Sequence, residues 1–394
     1  MGFYTQEILK KRTRKKLIWI HAVSVGEALA VKPLLNSLRT NLPEYQILIS
    51  TTTLTGYKIC KEKIAHKEDL VIFSPLDYYW IVKKSLKTFK PSLIMLVETE
   101  LWPNLIYFSS RKGIPVLLIN GRISDRSYTK YLKCRLLMRK ILKHFVFLGM
   151  QSEKDAERII KLGAEKEKVE VIPSLKYETA VELAGRIFDK DSIRKELRLK
   201  DSTCLITGGS THSGEESALI SVYQRLKKDF PDICVLLAPR HPHRIKEIEE
   251  ELNNRGIDYN LRTRMKDNIS EYNSVIILDT LGELTKFYSI STVAFVGKSL
   301  YGKGGQNPME PAALGIPVIF GKNMSNFEES SNLLLNHNAA IQINSIDGLY
   351  HALKIILENP HESEKMGERG REAVLSRKGA ISRLITVISK TIGK

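Results

Sequence analysis

The sequence predicts an α/β protein with two doubly wound parallel sheets. Short apolar runs alternate with polar or glycine-containing loops and helix-like segments, and a second series of such units starts near residue 203. Apolar strands that alternate with helices are typical of parallel sheets covered on both faces. With 394 residues the chain is also long for one hydrophobic core. We therefore expect two Rossmann-like domains that face each other across a cleft.

The first half contains five apolar runs that predict buried strands. They are Leu17–Ile20, Gln46–Ile49, Pro91–Val97, Ile114–Ile119 and Phe145–Leu148. The segment after the first run predicts a helix, because Leu34, Leu35 and Leu38 recur at the spacing of one helical face.

Polar side chains follow these strands directly. They are Ser24, Glu27, Thr52, Thr53, Glu98, Glu100, Asn120, Arg122 and Ser124. The carboxyl ends of parallel strands meet at one edge of a sheet, where open α/β sheets bind ligands. Glu27 is a candidate general base at this edge. The alternative is that Glu27 is only an acid in a first helical turn, which the helix dipole favours.

The second half repeats the pattern, with predicted strands at Thr203–Ile206, Cys234–Ala238, Val275–Leu278 and Thr292–Val296. Residues 173–200 are charged and helix-prone and contain no predicted strand, so we place the domain boundary there. The expected domains are 1–175 and 176–394, with helices from about residue 361 closing the chain.

A glycine-rich loop, Gly302–Pro308, precedes a predicted helix near Met309. Glycines let the backbone approach a ligand closely, and N–H groups at a helix start suit a phosphate. Glu310 could accept hydrogen bonds from a ribose, or it could be a first-turn acid. The spacings of the Walker A loop and of the dinucleotide fingerprint are absent, which argues against an ATPase or a dehydrogenase.

Two further loops of the second half offer ligand groups. Ser210 and Thr211 could donate hydrogen bonds at another helix start, whereas Ser213 and Glu216 have the spacing of a plain capping box. Arg240 directly follows a strand and could pair with phosphate oxygens.

The formal net charge is +17, from 61 Lys and Arg against 44 Asp and Glu. Such an excess indicates an anionic partner, or else a well-solvated lysine-rich surface. Residues 10–16 form a basic cluster, and a basic helix predicted over Tyr128–Phe147 could lie on an anionic membrane or pack as an ordinary core helix. No run reaches the roughly 18 apolar residues of a membrane span. Basic residues interleaved with aromatic ones are not evident, so no nucleic acid is expected.

The four cysteines form no C-x-x-C pair, and neither a zinc-ligand spacing nor a D-x-D pair stands out. We expect a reducing, cytoplasmic setting, no metal and no cofactor. Catalysis by a carboxylate base and positioned charges is the simplest interpretation.

Six motifs together resemble those of the 3-deoxy-D-manno-octulosonic acid (Kdo) transferases, glycosyltransferase family 30. In chain order they are Trp19–Glu27, Glu98–Asn104, Asn120–Ser124, Gly209–Glu215, Pro239–His241 and Gly304–Pro311. The resemblance implies a GT-B fold and an inverting transfer of Kdo from CMP-Kdo to a lipid A precursor, lipid IVA, in lipopolysaccharide core biosynthesis. It also implies a peripheral position on the cytoplasmic face of the inner membrane.

The resemblance assigns roles to individual residues. Glu27 matches the proton acceptor, and Glu98 and Lys176 match residues that support the transition state. We expect Ser24, Glu100 and Arg122 on the acceptor side. The expected donor-binding residues are Ser210, Thr211, Pro239, Arg240, Leu281, Gly282, Glu283, Gly304, Gly305, Asn307, Pro308, Met309 and Glu310.

The sequence departs from the family pattern at several positions. Gln306 stands where His is usual, Pro173-Ser174 replaces Gly-Asn, and Lys298 occupies a common glycine position. The family's N-terminal hydrophobic anchor is also missing, so either the chain begins late or surface charge holds it at the membrane. The alternative function is that of another GT-B glycosyltransferase or an epimerase that uses a UDP-sugar.

Overall fold

The computed structural model describes residues 4–266 and 274–393. The chain divides into two compact units. The first comprises the chain up to Glu178 together with the residues from Arg377 onward, and the second spans Thr179–Ser376.

The first unit is a doubly wound parallel sheet. Its strands are β1 Lys16–His21, β2 Tyr45–Thr51, β3 Leu70–Phe73, β4 Leu93–Val97, β5 Val116–Gly121, β6 Phe147–Met150 and β7 Val169–Val171. Within the described residues they form one sheet in the order β3-β2-β1-β4-β5-β6-β7, and every pairing is parallel. The central strands are buried along nearly their whole length, as a sheet covered on both faces requires.

Helices connect the strands of the first unit. They are α1 Gln6–Lys11, α2 Val25–Asn41, α3 Leu54–Ile59, α4 Tyr79–Phe89, α5 Pro103–Arg111, α6 Asp125–Lys133, α7 Arg135–Leu142 and α8 Glu153–Lys161. The predicted helix after the first strand is confirmed as α2, and Leu34, Leu35 and Leu38 are buried as expected. The single helix predicted over Tyr128–Phe147 is wrong. The segment is divided at Cys134 into two helices. α6 buries none of its side chains, whereas α7 packs Met138, Ile141 and Leu142 into the core.

The second unit repeats this architecture. Its strands are β8 Cys204–Thr211, β9 Ile233–Pro239, β10 Tyr259–Leu261, β11 Val275–Ile277, β12 Val293–Val296, β13 Val318–Gly321 and β14 Ala340–Ile343. Its helices are α9 Glu178–Ala184, which begins at the boundary, α10 Lys190–Glu196, α11 Glu215–Leu226, α12 Ile245–Asn254, α13 Leu284–Tyr288, α14 Met309–Ala313, α15 Glu328–Asn336, α16 Ile346–Glu358 and α17 Pro360–Leu375. In the described part of the chain the strand order is β10-β11-β9-β8-β12-β13-β14, again parallel throughout.

The expected fold class is therefore confirmed, although the sequence pattern missed five strands. These are β3, β7, β10, β13 and β14, each of three or four residues. Four of them lie at sheet edges. A segment this short carries too little periodicity to be recognised, since alternation needs four to eight residues to be distinctive.

The last helix, α18 Ala380–Thr391, returns to the first unit. The division expected from the sequence groups it with the second domain instead. In the structure Leu384 and Ile388 are buried in the core of the first unit with Leu34 and Leu38 of α2. Arg383 also binds Glu170 of β7, with Nη2 and Oε2 2.7 Å apart. Across residues 4–266 and 274–393, no helix combines the length and apolar character needed to span a membrane.

Replacing Leu384 with Ala tests whether α18 stabilises the first unit. We expect the free energy of unfolding to fall by about 2–5 kcal/mol, because the change leaves a cavity against α2. Urea denaturation followed by circular dichroism measures it. Thr386→Ala, on the exposed face of the same helix, is the control and should shift stability by less than about 0.5 kcal/mol. Equal effects of the two changes would contradict the packing of α18.

Candidate active site

Glu27 lies in the first turn of α2, at the carboxyl edge of the first sheet. Its Oε2 accepts a hydrogen bond from the Val23 N–H at 2.8 Å, and its Oε1 accepts one from the Ser24 hydroxyl at 2.9 Å. The Ser24 Oγ in turn accepts from the Glu27 N–H at 3.3 Å. This differs from a capping box only in that the carboxylate bonds to the N–H of the residue before the N-cap; it fixes the carboxylate and leaves each oxygen a second lone pair. Ser24 is thus a positioning group for Glu27.

The surroundings of Glu27 make it a stronger base than an ordinary glutamate. Only 7% of the residue is exposed. Burial raises the pKa of Glu27, hydrogen bonds from Val23 and Ser24 oppose the rise, and the carboxylates of Glu98 and Glu100 add to it. Burial likewise raises the pKa of Glu100. The structure therefore brings Glu98 and Glu100, two sequence-predicted acids, close enough to raise the pKa of Glu27.

Lys176 belongs to the same group. Its Nζ lies 3.4 Å from Oε1 of Glu98. Both side chains are partly exposed, so this pair adds little to stability and is open to a ligand. Glu98 directly follows β4 with φ of 57°, a left-handed conformation that costs a residue with a side chain roughly 1–3 kcal/mol.

Asn120 holds the segment that carries Lys176. Its Oδ1 accepts hydrogen bonds from the Leu175 N–H at 3.1 Å and from the Ser174 hydroxyl at 3.2 Å. The Ser174 Oγ also caps the short 3-10 helix by accepting from the Lys176 N–H at 3.4 Å. Pro173-Ser174 departs from the family pattern, but the hydrogen bonds of Ser174 still anchor the segment beside Glu98.

The start of α5, which follows β4, and the loop after β5 are fixed by acids from neighbouring elements. Asp77 accepts from the N–H groups of Asn104 and Leu105 at 2.9 and 2.8 Å. Asp155 accepts from the Ile123 N–H at 2.7 Å. Arg122, exposed on this edge, is tied through its backbone to the Thr99 hydroxyl, which donates to its carbonyl and accepts from its N–H.

His21 could be considered as a competing base, since it lies at the end of β1. The Ser50 hydroxyl accepts from the Trp19 indole N–H at 2.8 Å and lies 2.9 Å from His21 Nδ1. Burial lowers the pKa of His21 to about 4. The imidazole is fully buried, only its Nδ1 is paired, and burial disfavours its protonated form, so His21 is a poor candidate for the base.

In the second unit, Ser210, Thr211 and Arg240 meet at the carboxyl ends of β8 and β9. The Arg240 N–H donates to the Thr211 carbonyl at 3.0 Å. Arg240 is exposed, and Ser210 has φ of 53°. Gly297 permits this bend, because a Cβ there would lie 2.4 Å from the Ser210 carbonyl oxygen.

The glycine-rich loop folds back on residues 323–326. Gly304 and Gly305 have φ of 104° and 70°, and a Cβ at Gly304 would lie 2.3 Å from Asn326 Nδ2. Lys298, which occupies a common glycine position of the family pattern, lies at the start of this segment with φ of 57°. Glycine suits this left-handed conformation because it has no side chain. The Gly305 N–H donates to the Lys298 carbonyl at 3.1 Å.

Asn307 and Glu310 form the end of this loop. The Asn307 Oδ1 accepts from the Met309 N–H at 3.1 Å, and its Nδ2 donates to Oε1 of Glu310 at 3.2 Å. Burial raises the pKa of Glu310, while Asn307 and the charge of Arg240 oppose the rise. Arg240 is therefore near enough to Glu310 for its charge to act on that carboxyl. The Met309 side chain is buried, and Pro308 caps the helix through its backbone position.

Glu215 holds the loop that follows β12, a role that the sequence did not indicate. It is fully buried. Its Oε2 accepts from the N–H groups of His212 and Lys298 at 2.9 and 2.7 Å, and its Oε1 accepts from those of Ser299 and Leu300 at 2.9 Å each.

The Ser213–Glu216 capping box, which the sequence offered as the alternative for this loop, is not the cap of α11. Gly214, in a left-handed conformation, precedes α11, and the Glu216 carboxylate binds Arg244 at 2.7 Å. Glu215, three residues after His212, is the acid that bonds back to the loop, whereas Glu216, three residues after Ser213, binds Arg244.

Leu281, Gly282 and Glu283 lie between β11 and α13. Leu281 is 81% exposed and Gly282 has φ of 86°. Glu283 is bound by Arg262 at 3.1 Å and by the Thr280 hydroxyl. Although burial favours the neutral acid, these bonds and the charge of Arg262 keep the pKa of Glu283 below its ordinary value. Among the described residues, Glu283 thus bonds to Arg262 and Thr280 rather than to Arg240 or Glu310.

Comparison with known proteins agrees with these motifs. The family model of 3-deoxy-D-manno-octulosonic-acid transferase (kdotransferase) matches residues 1–179. A 3-deoxy-D-manno-octulosonic acid transferase of Haemophilus influenzae is 33% identical over 376 residues, which cover 94% of this chain and 86% of that protein. A bifunctional glycosyltransferase/methyltransferase of Fusobacterium nucleatum is 36% identical over 353 residues, covering 89% of this chain; the chain spans only 54% of that relative.

Among solved structures, a UDP-GlcNAc 2-epimerase from Neisseria meningitidis superposes with a TM-score of 0.62 at 14% identity, over 95% of this chain and all of that one. A likeness at this identity bears on the fold alone, which is that of two Rossmann-like domains of the GT-B class. The sequence relationship to the Haemophilus protein is what defines the family. The chain is therefore a glycosyltransferase that belongs to the 3-deoxy-D-manno-octulosonic acid transferase family.

Proposed function

We propose that the protein transfers Kdo from CMP-Kdo to a lipid A precursor with inversion at the anomeric carbon, in the synthesis of the lipopolysaccharide core. The acceptor hydroxyl oxygen forms a bond to the anomeric carbon, the bond from that carbon to the phosphate oxygen breaks, and CMP leaves. The hydroxyl proton passes to Glu27. The observation that carries the proposal is the fixed, buried Glu27 carboxylate beside Glu98 and Lys176.

Glu27 suits the role of general base because its orientation is set before substrate arrives. The two hydrogen bonds from Val23 and Ser24 stabilise the carboxylate, and the free lone pairs remain available to a hydroxyl. Its raised pKa increases its basicity toward a hydroxyl proton. The Glu98–Lys176 pair supplies charges beside the reacting centre as the bond to phosphate breaks. No metal or other cofactor is needed for these steps.

The donor would bind in the second unit. Arg240 and the backbone of Gly304, Gly305 and Asn307 would hold the phosphate, and Glu310 would accept hydrogen bonds from the ribose. Ser210, Thr211 and the Leu281–Glu283 segment complete the proposed donor site. The raised pKa of Glu310 is compatible with this role, since a buried acid beside Asn307 benefits from a further donor.

A lipid acceptor is supported by exposed apolar side chains at the edge that carries Glu27. This apolar collar follows β1, β2 and β3 and consists of Leu29, Leu54, Phe73, Leu76, Tyr78 and Trp80. Trp80 is 66% exposed and its ring stacks on that of Tyr78 at 5.6 Å. Large apolar patches on a surface indicate a ligand or a membrane, and acyl chains fit this one.

Replacing Glu27 with Gln tests the base. The substitution keeps the size of the side chain but removes its basic oxygen, so transfer should fall at least about 100-fold. Purified protein, CMP-Kdo and tetraacylated lipid A precursor are incubated, and the Kdo adduct is measured by mass spectrometry. Glu62→Gln, an exposed acid of the same unit, is the control and should leave transfer unchanged.

Nucleotide protection separates the proposal from a UDP-sugar enzyme. CMP should raise the thermal unfolding temperature of both wild type and Glu27→Gln, and UDP should not. An absence of any Kdo adduct with wild-type enzyme in excess would refute the transfer. Near-normal turnover of Glu27→Gln would remove Glu27 from the base role alone.

We propose further that the first unit rests on the anionic surface of the cytoplasmic face of the inner membrane. Residues 126–152 contain no Asp or Glu, and their cations are Arg126, Lys130, Lys133, Arg135, Arg139, Lys140 and Lys143. We call the α6–α7 part of this segment the basic surface. It exposes Leu136 at 80%, beside a groove of about 900 Å³ lined largely by its cations. Exposed leucines amid basic residues are typical of helices that lie on anionic lipid.

Charge reversal on the basic surface tests this attachment. In a vesicle flotation assay, Arg139→Glu with Lys140→Glu should reduce binding to vesicles containing phosphatidylglycerol at least tenfold, since each basic residue near such a surface contributes about 1 kcal/mol. Lys61→Glu with Lys63→Glu makes the same change in net charge elsewhere and should bind nearly as wild type. Equal losses would show that only total charge matters, and unchanged binding by the first pair would refute this surface.

A further inference from the structure

Three histidines form a cluster beside Arg240 that the proposed reaction does not use. His212 lies after β8, and His241 and His243 lie in the loop after β9. The ring centroids of His212 and His241 are 5.4 Å apart, and those of His241 and His243 are 5.5 Å apart. These three imidazoles, the histidine cluster, therefore lie at the carboxyl edge of the second sheet.

His212 is held in a defined orientation. Its backbone N–H donates to Oε2 of Glu215 at 2.9 Å, and its ring Nδ1 lies 3.2 Å from the Ser210 carbonyl oxygen. A carbonyl oxygen can only accept, so Nδ1 carries a proton in this bond. The other nitrogen, Nε2, is then the atom that gains a proton when the imidazole becomes charged.

The charges around the cluster are mostly positive. Arg240 and Arg244 flank it, and the acids of neighbouring elements are already engaged. Glu216 of α11 and Glu247 of α12 both bind Arg244, at 2.7 and 3.1 Å. Glu215 accepts from the backbone of the loop after β12, as described above, and Glu310 lies near Arg240.

The positive charges around the cluster disfavour protonation of His241 as long as no anion is bound. Desolvation lowers the pKa of His241, and the nearby charges of His212, His243, Arg240 and Arg244 lower it further. A bound carboxylate would act in the opposite direction, because an opposite charge within a few ångströms favours the protonated imidazole. Binding of an anion and uptake of a proton are therefore coupled here.

We propose that the histidine cluster binds the second acidic group of the donor, the carboxylate of the sugar acid, and takes up a proton from solvent as it does so. The inference rests on the proposed function, which supplies a donor with two negative groups. Arg240 and the glycine-rich loop are assigned to the phosphate, and the cluster begins at the residue after Arg240. In this arrangement the phosphate and the carboxylate of the donor are each bound by a separate set of groups.

The test compares the KM for CMP-Kdo with the inhibition constant of CMP, which lacks the sugar acid. His212→Gln and His241→Gln should each raise the KM about tenfold at pH 6 and leave inhibition by CMP within about twofold of wild type. For wild type the KM should fall as the pH is lowered from about 8 to 6, and both variants should lose this dependence. His351→Gln, a surface histidine of α16, is the control and should behave as wild type.

His241→Lys provides a rescue that a merely structural role would not produce. A permanent cation should keep the KM low at pH 8 as well as at pH 6. If His212→Gln and His241→Gln retain the wild-type KM at both pH values, or lose CMP inhibition in parallel, the inference is overturned. Failure of the proposed function is distinct from this, since wild type would then neither be protected by CMP nor transfer Kdo.

Discussion

The loops at the carboxyl edges of both sheets depend on one constraint: their buried backbone N–H groups have no strand partner and must be bonded in another way. Acids from neighbouring elements do this. Asp77 binds two N–H groups in the first turn of α5, which follows the loop after β4, Asp155 binds one after β5, and Glu215 binds three after β12 besides that of His212. A carboxylate suits this task because it accepts several strong, charge-assisted bonds at once.

Glu27 is a member of this group and differs from it in one respect. Like the others it accepts from a backbone N–H, that of Val23. Unlike Glu215, whose oxygens take four such bonds, it retains lone pairs and lies beside Glu98 and Glu100. The same local structure thus caps the helix and leaves the carboxylate free for the proposed base role, so the two interpretations of Glu27 in the sequence are compatible. Left-handed conformations at Glu98, Asn120, Ser210 and Lys298 place strain at the same two edges.

The sequence predicted what local periodicity and strand order determine. The two parallel sheets and the edge on which Glu27, Glu98 and Glu100 lie follow from strands alternating with helices. The long-range contacts did not follow. The return of α18 to the first unit depends on packing between residues some 350 positions apart, such as Leu34 and Leu384. The bonds from Glu215 to residues 298–300 join loops about 85 residues apart, which no local spacing reveals.

The central claim is that Glu27, with a pKa raised by burial and by its acidic neighbours, removes the acceptor proton. The pH dependence of kcat/KM for the acceptor measures this most directly. A base must be ionised, so the rate should rise with pH through a limb whose midpoint lies above the value near 4.3 of an ordinary glutamate. In Glu98→Gln the limb should move to lower pH, because a charge that raises the pKa of Glu27 is removed. A limb at the ordinary value that does not move in Glu98→Gln would contradict the account.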